Sequence, residues 1–474
     1  MSKSTRGRRP RPAEARFVSC LRDFLTPALH RQVQRLLPRR FRGSRRPRRR
    51  WSLHPVLFVL LAMTWCLGDS QPERFEAARA FCVACHPKRR RPGKTFAGFQ
   101  KALNALPAQA LRRVAGLFRR RLLGRLGPLL HTDGWAVFGC DGSRLRVPRV
   151  AELERRLGDP GGDSCSGHKA PQLWLTALVH LASGLPWSWQ LGKGDASERA
   201  HLARLVGTLP AAALVVADAG YQGFPLATAL SAAGACFLIR VSSQTIFYTQ
   251  DATLPTEAVG DAARQVTAEE LAKWTDGVVY YWPREAQRNE ERPVAVRLLR
   301  VPGQTRVKDV WLASNVLERQ RLPLAVAGRF YRMRWENEGY FRTYKQTLRK
   351  VKLSGRTVQA VHREALAAML AVQVLLFQGA AGAIRLGHKQ AASSARQLLL
   401  LVRREIDAAL RGKARRGFLG RAGACARERR QRRSAKQKRP WPSRQAPKPF
   451  QPPRIRPLDE AAKLLLQQCL RLAS

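Results

Sequence analysis

Apolar residues recur at helical spacing between Trp51 and about Leu130, in PVLFVLLAMTWCL, PERFEAARAF and FAGFQKALNAL. Gly, Pro and basic clusters separate these segments, so residues 51–130 are expected to form a small α-helical domain. The period changes at Trp135. WAVFGCDG is a short apolar run closing in a turn, LRVPRV is its expected partner strand, and LWLTALVHLASG and LPWSWQLG follow as further strands. Residues 198–208 read as a helix, ALVVADAGY as a buried strand ending on an acid and a glycine, FPLATALSAAG as a helix and CFLIRVS as a strand. Strands joined by helices indicate an α/β domain, here spanning 131–385.

Residues 245–320 leave that rhythm. VVYYWPRE, PVAVRLLRVPG and DVWLASNV read as hairpin-forming strands of a β-rich insertion. One long helix is expected from Leu324 to Arg349, then an apolar helix, then a C-terminal helix within 386–410. Ala365 to Ile384 is uncharged and long enough to cross a membrane. It is alanine-rich, however, and carries Gln373, Gln378, Gly379 and Gly382, so a buried core helix and no membrane partner are expected. Residues 457–474 read as a short amphipathic helix. The start has no apolar signal region, and the chain shows no internal repeat.

Charge narrows the class. The 474 residues include 86 Lys and Arg against 33 Asp and Glu, a net +53. That excess argues against an enzyme of small metabolites and points to nucleic acid or an anionic membrane. Residues 1–50 carry +15 and residues 411–456 carry +16. The first is expected to be a partly disordered basic arm, the second a Pro-rich disordered tail suited to capturing DNA. The nine scattered cysteines make no disulfide framework. Cys82-Val-Ala-Cys85-His86 matches a haem-attachment pattern, but such attachment belongs to exported proteins. No second ligand pair follows it at zinc spacing.

Three acids sit where a metal site needs them. Asp141 closes VFGC-Asp141-Gly142-Ser143 and Asp218 closes LVVA-Asp218-Ala219-Gly220-Tyr221. Carboxylates at the ends of neighbouring core strands project into one cleft and suit hard cations such as Mg²⁺. In FYRMRWENEGYFRTYKQTL, Tyr331, Arg334, Glu338 and Lys345 lie at offsets −7, −4, 0 and +7. On one continuous helix these four share a stripe roughly 60° wide. A carboxylate flanked by a phenol and two cations fits a site that holds a phosphodiester beside a metal. A surface salt-bridge stripe is the plainer alternative.

The spacing Tyr331-x2-Arg334-x3-Glu338-x6-Lys345 resembles the signature of the DDE transposases of the insertion-sequence-four type. From the residue counts, chance yields ~0.0015 such matches in this chain. Asp141-Gly-Ser and Asp218-Ala-Gly-Tyr resemble the family's first and second acid motifs, and the likeness runs over about 130–385. The resemblance implies a ribonuclease-H-like mixed sheet with a β-rich insertion, preceded by a helical DNA-binding domain and followed by helices and a basic tail. It further implies catalysis by Asp141, Asp218 and Glu338 on two Mg²⁺ ions, with Mn²⁺ able to substitute. Arg334 and Lys345 would hold phosphates and Tyr331 the terminal nucleotide. The implied partners are double-stranded DNA, as element ends and as target, and a second copy of the chain. The implied location is the bacterial cytoplasm, on the nucleoid when bound to DNA. A metal-dependent nuclease without strand transfer, or a non-catalytic DNA-binding descendant, shares these features.

Other motifs add little. Gly93-Lys94-Thr95 lacks the earlier glycine of a phosphate-binding loop, and Gly192-Lys-Gly194 lacks the strand–helix junction of a dinucleotide site. Glu336 points roughly 160° from the stripe and is expected to face solvent. Asp133 and Asp163 read as turn residues, and Asp195 and Glu198 as a loop and helix start, with support of the site as the lesser alternative. His168 and Lys169 sit in a loop that could touch DNA, and Trp187, Trp189 and Trp335 read as packing.

Overall fold

A computed structural model describes residues 16–35, 37, 50–158, 170–250, 274–303, 309–388, 393–425 and 452–471. The chain is mixed α/β, and among the described residues ten strands form one hydrogen-bonded sheet. They are β1 Ala136–Arg146, β2 Gln172–His180, β3 Leu185–Lys193, β4 Ala213–Ala217, β5 Cys236–Arg240, β6 Ile246–Thr249, β7 Asp276–Tyr281, β8 Val294–Val301, β9 Val310–Ser314 and β10 Arg454–Pro457. Two compact units divide the chain. A strand unit holds Thr132–Asp141, Ser197–Trp335 and Arg429–Ser474, and a helical unit holds Met1–His131, Gly142–Ala196 and Glu336–Glu428.

In the strand unit β1, β4 and β5 run parallel. Their segments AVFG, ALVVA and FLI are apolar at nearly every position, as strands covered on both faces must be. Helix Phe224–Ala232 makes the crossover from β4 to β5. Beyond β5 the sense reverses. β9 pairs antiparallel with β5 (Leu238↔Ser314), β8 with β9 (Leu298↔Ala313) and β7 with β8 (Val279↔Val296). The hairpin-forming segments of 245–320 therefore extend the sheet from its β5 edge. Arg297, only 1% exposed in β8, is held by Asp276 through two bonds of 2.7 and 2.8 Å and donates to the Leu322 carbonyl at 2.9 Å. A buried guanidinium is tolerable only when it is paired in this way.

The helical unit is centred on the 28-residue helix Val358–Arg385, and 89% of its most apolar window is buried. Phe24 meets Phe377 edge-on at 5.0 Å, and Trp65 Nε1 donates to the Ala371 carbonyl at 3.3 Å. Gln373, buried mid-helix, donates to the Pro186 carbonyl at 2.8 Å, which accounts for an amide in an apolar run. Gly382 lets helix Phe418–Gly423 approach so closely that a Cβ there would meet the Gly423 nitrogen at 2.3 Å. β2 and β3 form an antiparallel hairpin in this unit. In β2, His180 is 0% exposed and lies between Ser183 Oγ (2.7 Å) and the Leu130 carbonyl (2.9 Å). Burial above all pushes its imidazole down to about 4.

Several expectations change. β1 does not turn at Asp141-Gly142-Ser143 but runs on to Arg146 as one strand. Arg146 N donates to the Val351 carbonyl and the Arg146 carbonyl accepts from Leu353 N, so LRV pairs with 351–353 rather than folding back on WAVFG. Within the basic arm, Phe17–Phe24 and Pro27–Gln34 are helices, with Phe17, Cys20, Leu21 and Phe24 buried at helical spacing beneath the charge. Within the basic tail, β10 pairs parallel with β6 around a fully buried Ile455. The rest of the arm (1–15, 38–49), most of the tail (426–451), and Asp163, His168 and Lys169 lie outside the described residues.

Candidate functional site

The register of β1 on β4 runs from Ala136↔Ala213 to Gly139↔Val216. Two residues further along, on the same face, Asp141 comes opposite Asp218. The two carboxylates thus leave neighbouring parallel strands side by side. Asp218 Oδ1 accepts from Gly220 N at 2.9 Å, which caps the 3₁₀ turn Ala219–Tyr221 and folds Tyr221 into the interior.

A third acid joins them. Ser197 caps helix Glu198–Leu205, and Arg199 Nε donates to the Gly220 carbonyl at 2.9 Å, tying the helix start to the loop that carries Asp218. Burial pushes the Glu198 carboxyl above its ordinary range. Asp141 and Asp218 push the same way, and the Tyr221 phenol opposes them. Beneath, the Cys140 thiol and the Tyr221 phenol are both buried and both shifted strongly upward by desolvation. The carboxylates therefore sit over a floor of low polarity, where charge interactions are strong.

Helix Leu324–Met333 brings Tyr331 to the same place. Burial raises its phenol, Arg240 and Arg334 lower it, and Asp218 raises it further. The Arg334 guanidinium lies 5.7 Å from the Tyr331 ring centre and 5.4 Å from that of Trp335. Its Nε is buried without a hydrogen bond among the described residues. Trp335 is 60% exposed, so it is not the packing residue expected.

The expected long helix is interrupted here. Arg334 N bonds to the Tyr331 carbonyl and Trp335 N to the Arg332 carbonyl, both at three-residue spacing. A new helix, Glu336–Arg342, then runs into a π-helical turn, Thr343–Thr347. Tyr331 and Arg334 lie before this break, and Glu338 and Lys345 after it. Glu338 is exposed, and Glu336, expected in solvent, is half-buried. Asp141, Asp218, Tyr331 and Arg334 are gathered in the strand unit, with Glu198 and Tyr221 added. Glu338 and Lys345 belong to the helical unit.

Among the described residues no three His, Cys, Asp or Glu side chains close into a complete metal-binding group. Asp141 and Asp218, whose charges both act on Glu198, nevertheless supply carboxylate oxygens, the donor type a hard divalent cation takes. Cys82 and Cys85 are buried, and desolvation pushes both thiols up to about 12, which disfavours the thiolates a metal needs. In the sequence Glu198 reads chiefly as a helix start, and as support of the site only as the lesser alternative, because an acid after a Ser N-cap already has a local role in favouring helix initiation. Tyr221 offered one signal, its place directly after Asp218-Ala-Gly.

The family model of the transposase DDE domain matches residues 138–374, half of the chain. No curated protein matches. Among solved structures, the cryo-EM structure of a piggyBac transposase synaptic complex with hairpin DNA is similar at 9% identity and a TM-score of 0.38. The match covers 83% of this chain and 80% of that one.

Proposed function

The chain belongs to the transposase DDE domain family, and from that premise we propose that it is an insertion-sequence transposase of the insertion-sequence-four type. It cleaves DNA at the ends of its element and joins the freed 3′-hydroxyl to target DNA. The observation that carries this reading is the β1–β4 register, which continued by two residues brings Asp141 opposite Asp218, with Tyr331 within electrostatic reach of Asp218 and Arg334 beside the Tyr331 ring. The parallel run β1-β4-β5 with acids at the strand ends supports a ribonuclease-H-like core.

Asp141 and Asp218, completed by Glu338, would hold two Mg²⁺ ions, or Mn²⁺ in their place. When bound, the ions lower the pKa of the attacking water or hydroxyl and stabilise the leaving oxygen. The chain's own residues do the rest. Arg334 and Lys345 grip phosphates beside the scissile bond, and the Tyr331 ring steers the terminal nucleotide. Glu198 adds negative charge within electrostatic reach of Asp141 and Asp218 and so strengthens the hold of the site on cations. The basic arm and tail gather double-stranded DNA in the cytoplasm, and two copies of the chain hold two element ends.

Asp141→Asn, Asp218→Asn and Glu338→Gln are each expected to abolish joining of labelled element ends to a plasmid while DNA binding persists. Near-normal joining by any one variant removes that acid from the assignment. Cleaved ends that never join identify a nuclease instead.

A further inference from the structure

On the helical unit, the loop after helix Leu53–Trp65 borders a cavity of about 250 Å³ shared with the end of the π-helical turn and helix Ala395–Leu410. Three arginines line it: Arg74, Arg349 and Arg403. Two of them are aimed by the loop itself. Arg74 Nε donates to the Gly68 carbonyl at 2.7 Å and Arg403 Nε to the Trp65 carbonyl at 2.9 Å. Each guanidinium is fixed through Nε, and its Nη nitrogens remain for another acceptor. Gly68 has φ +148°, and a Cβ there would press on Arg74 Cγ at 3.0 Å, so the loop is shaped around that side chain. Arg349 follows the π-turn at φ +54°, a left-handed conformation rare for a side-chain-bearing residue.

Among the described residues no carboxylate lies within ion-pair distance of these three guanidiniums. The electrostatic neighbours that depress Arg403, after burial, are Arg349 and Arg74. Two acids also line the cavity. Glu73 is committed to Ser70 Oγ (2.7 Å) and Asp69 N (3.0 Å), and Asp69 is exposed. Arg74 acts electrostatically on Glu73, but the three guanidiniums also repel one another, and an anion in the cavity offsets that repulsion. Guanidinium forks match phosphate oxygens. Among the described residues no aromatic side chain lines the cavity for a base to stack on, which favours a backbone phosphate over a free nucleotide. Arg349 also lies four residues beyond Lys345.

We propose that Arg74, Arg349 and Arg403 form a pocket for one backbone phosphate of double-stranded DNA, separate from the reacting phosphodiester. This rests on the reading of DNA as the partner. The test measures binding of the full chain to a duplex by fluorescence anisotropy between about 50 and 200 mM salt. Arg349→Gln, at an exposed position, is expected to lower the slope of log K against log salt by about 1 and affinity about five- to ten-fold near 0.1 M. Arg349→Lys is expected to keep most of the slope. Combining Arg349→Gln with Arg74→Gln is expected to lower it no further than about 1 in total, because one phosphate is lost. Arg288→Gln removes an equal charge from the strand unit and is expected to bind as wild type.

An unchanged slope in Arg349→Gln overturns the pocket, as does an equal loss in Arg288→Gln, which marks a general charge effect. Unchanged DNA binding together with thermal stabilisation of the wild type by inorganic phosphate, absent in Arg349→Gln, assigns the pocket to a free anion and overturns the DNA claim. A wild type that binds duplex without salt dependence overturns the partner reading itself, and the pocket with it.

Discussion

Asp141 and Asp218 are placed by strand register, whereas Glu338 and Lys345 hang on a helical run that breaks at Arg334–Trp335. A parallel pair fixes its members residue by residue, and a slip of one position would expose the apolar faces of AVFG and ALVVA. A helix transmits position only while its i to i+4 bonds are unbroken. The two acids of the strand unit therefore sit in a rigid frame, and the third acid depends on how the chain resumes after the break.

The largest expected effect tests the rigid half. Asp141→Asn and Asp218→Asn should each lower end joining by at least ~10³-fold, since each would remove a charged ligand from the proposed metal site. Glu338→Gln should match them, and Glu336→Gln should retain activity within a few-fold. If Glu336→Gln is the dead variant in a joining assay, the chain resumes in the other phase and the acid has been misassigned. A smaller loss, about ten-fold, is expected of Glu198→Gln, which keeps the volume and removes a charge within electrostatic reach of Asp141 and Asp218. Its joining rate across a Mg²⁺ titration should show the higher cation requirement of a site with less negative charge.

Acid should separate the two units further. An imidazole held neutral at about 4 when folded, as in His180, titrates near 6.5 once unfolded. Its contribution is complete above pH ~6.5 and is lost as the pH falls toward 4, which amounts to about 2 kcal/mol by pH 5. His54, pushed down to about 3 by burial, Arg89, His30 and His86, acts in the same direction. Urea unfolding at pH 7 and pH 5 should show the helical unit weakening, and His180→Gln should flatten that dependence. The smallest expected change is a loss of about five-fold in affinity for single-stranded element ends in Trp335→Ala, if the exposed indole stacks on a base. Competition binding would measure it.

The strands and most helices were legible because their apolar periodicity is strong, as in ALVVA, FLI and the uncharged run around Gln373. Asp141 and Asp218 were legible for the same reason, each ending such a run. What failed had a local signal outvoted by tertiary pairing. Asp141-Gly142-Ser143 has turn chemistry, yet the backbone of Arg146 found 351–353 and stayed extended. Helical spacing continued through Arg334 and Trp335, so nothing in the pattern marked the interruption. In the basic arm the arginines hid a Phe17-Cys20-Leu21-Phe24 repeat that turns out to be core.

The bond from the Trp65 indole to the Ala371 carbonyl joins residues 306 positions apart. On the ribosome, the first helices emerge long before the helix that covers them has been synthesised. Phe17, Phe24 and Trp65 must wait through the translation of strands β1 to β9 with their apolar faces exposed. Translation speed and chaperone supply over that interval will set how much of this protein reaches its native state. A premature stop anywhere before Val358 leaves the N-terminal helices without the helix that covers them.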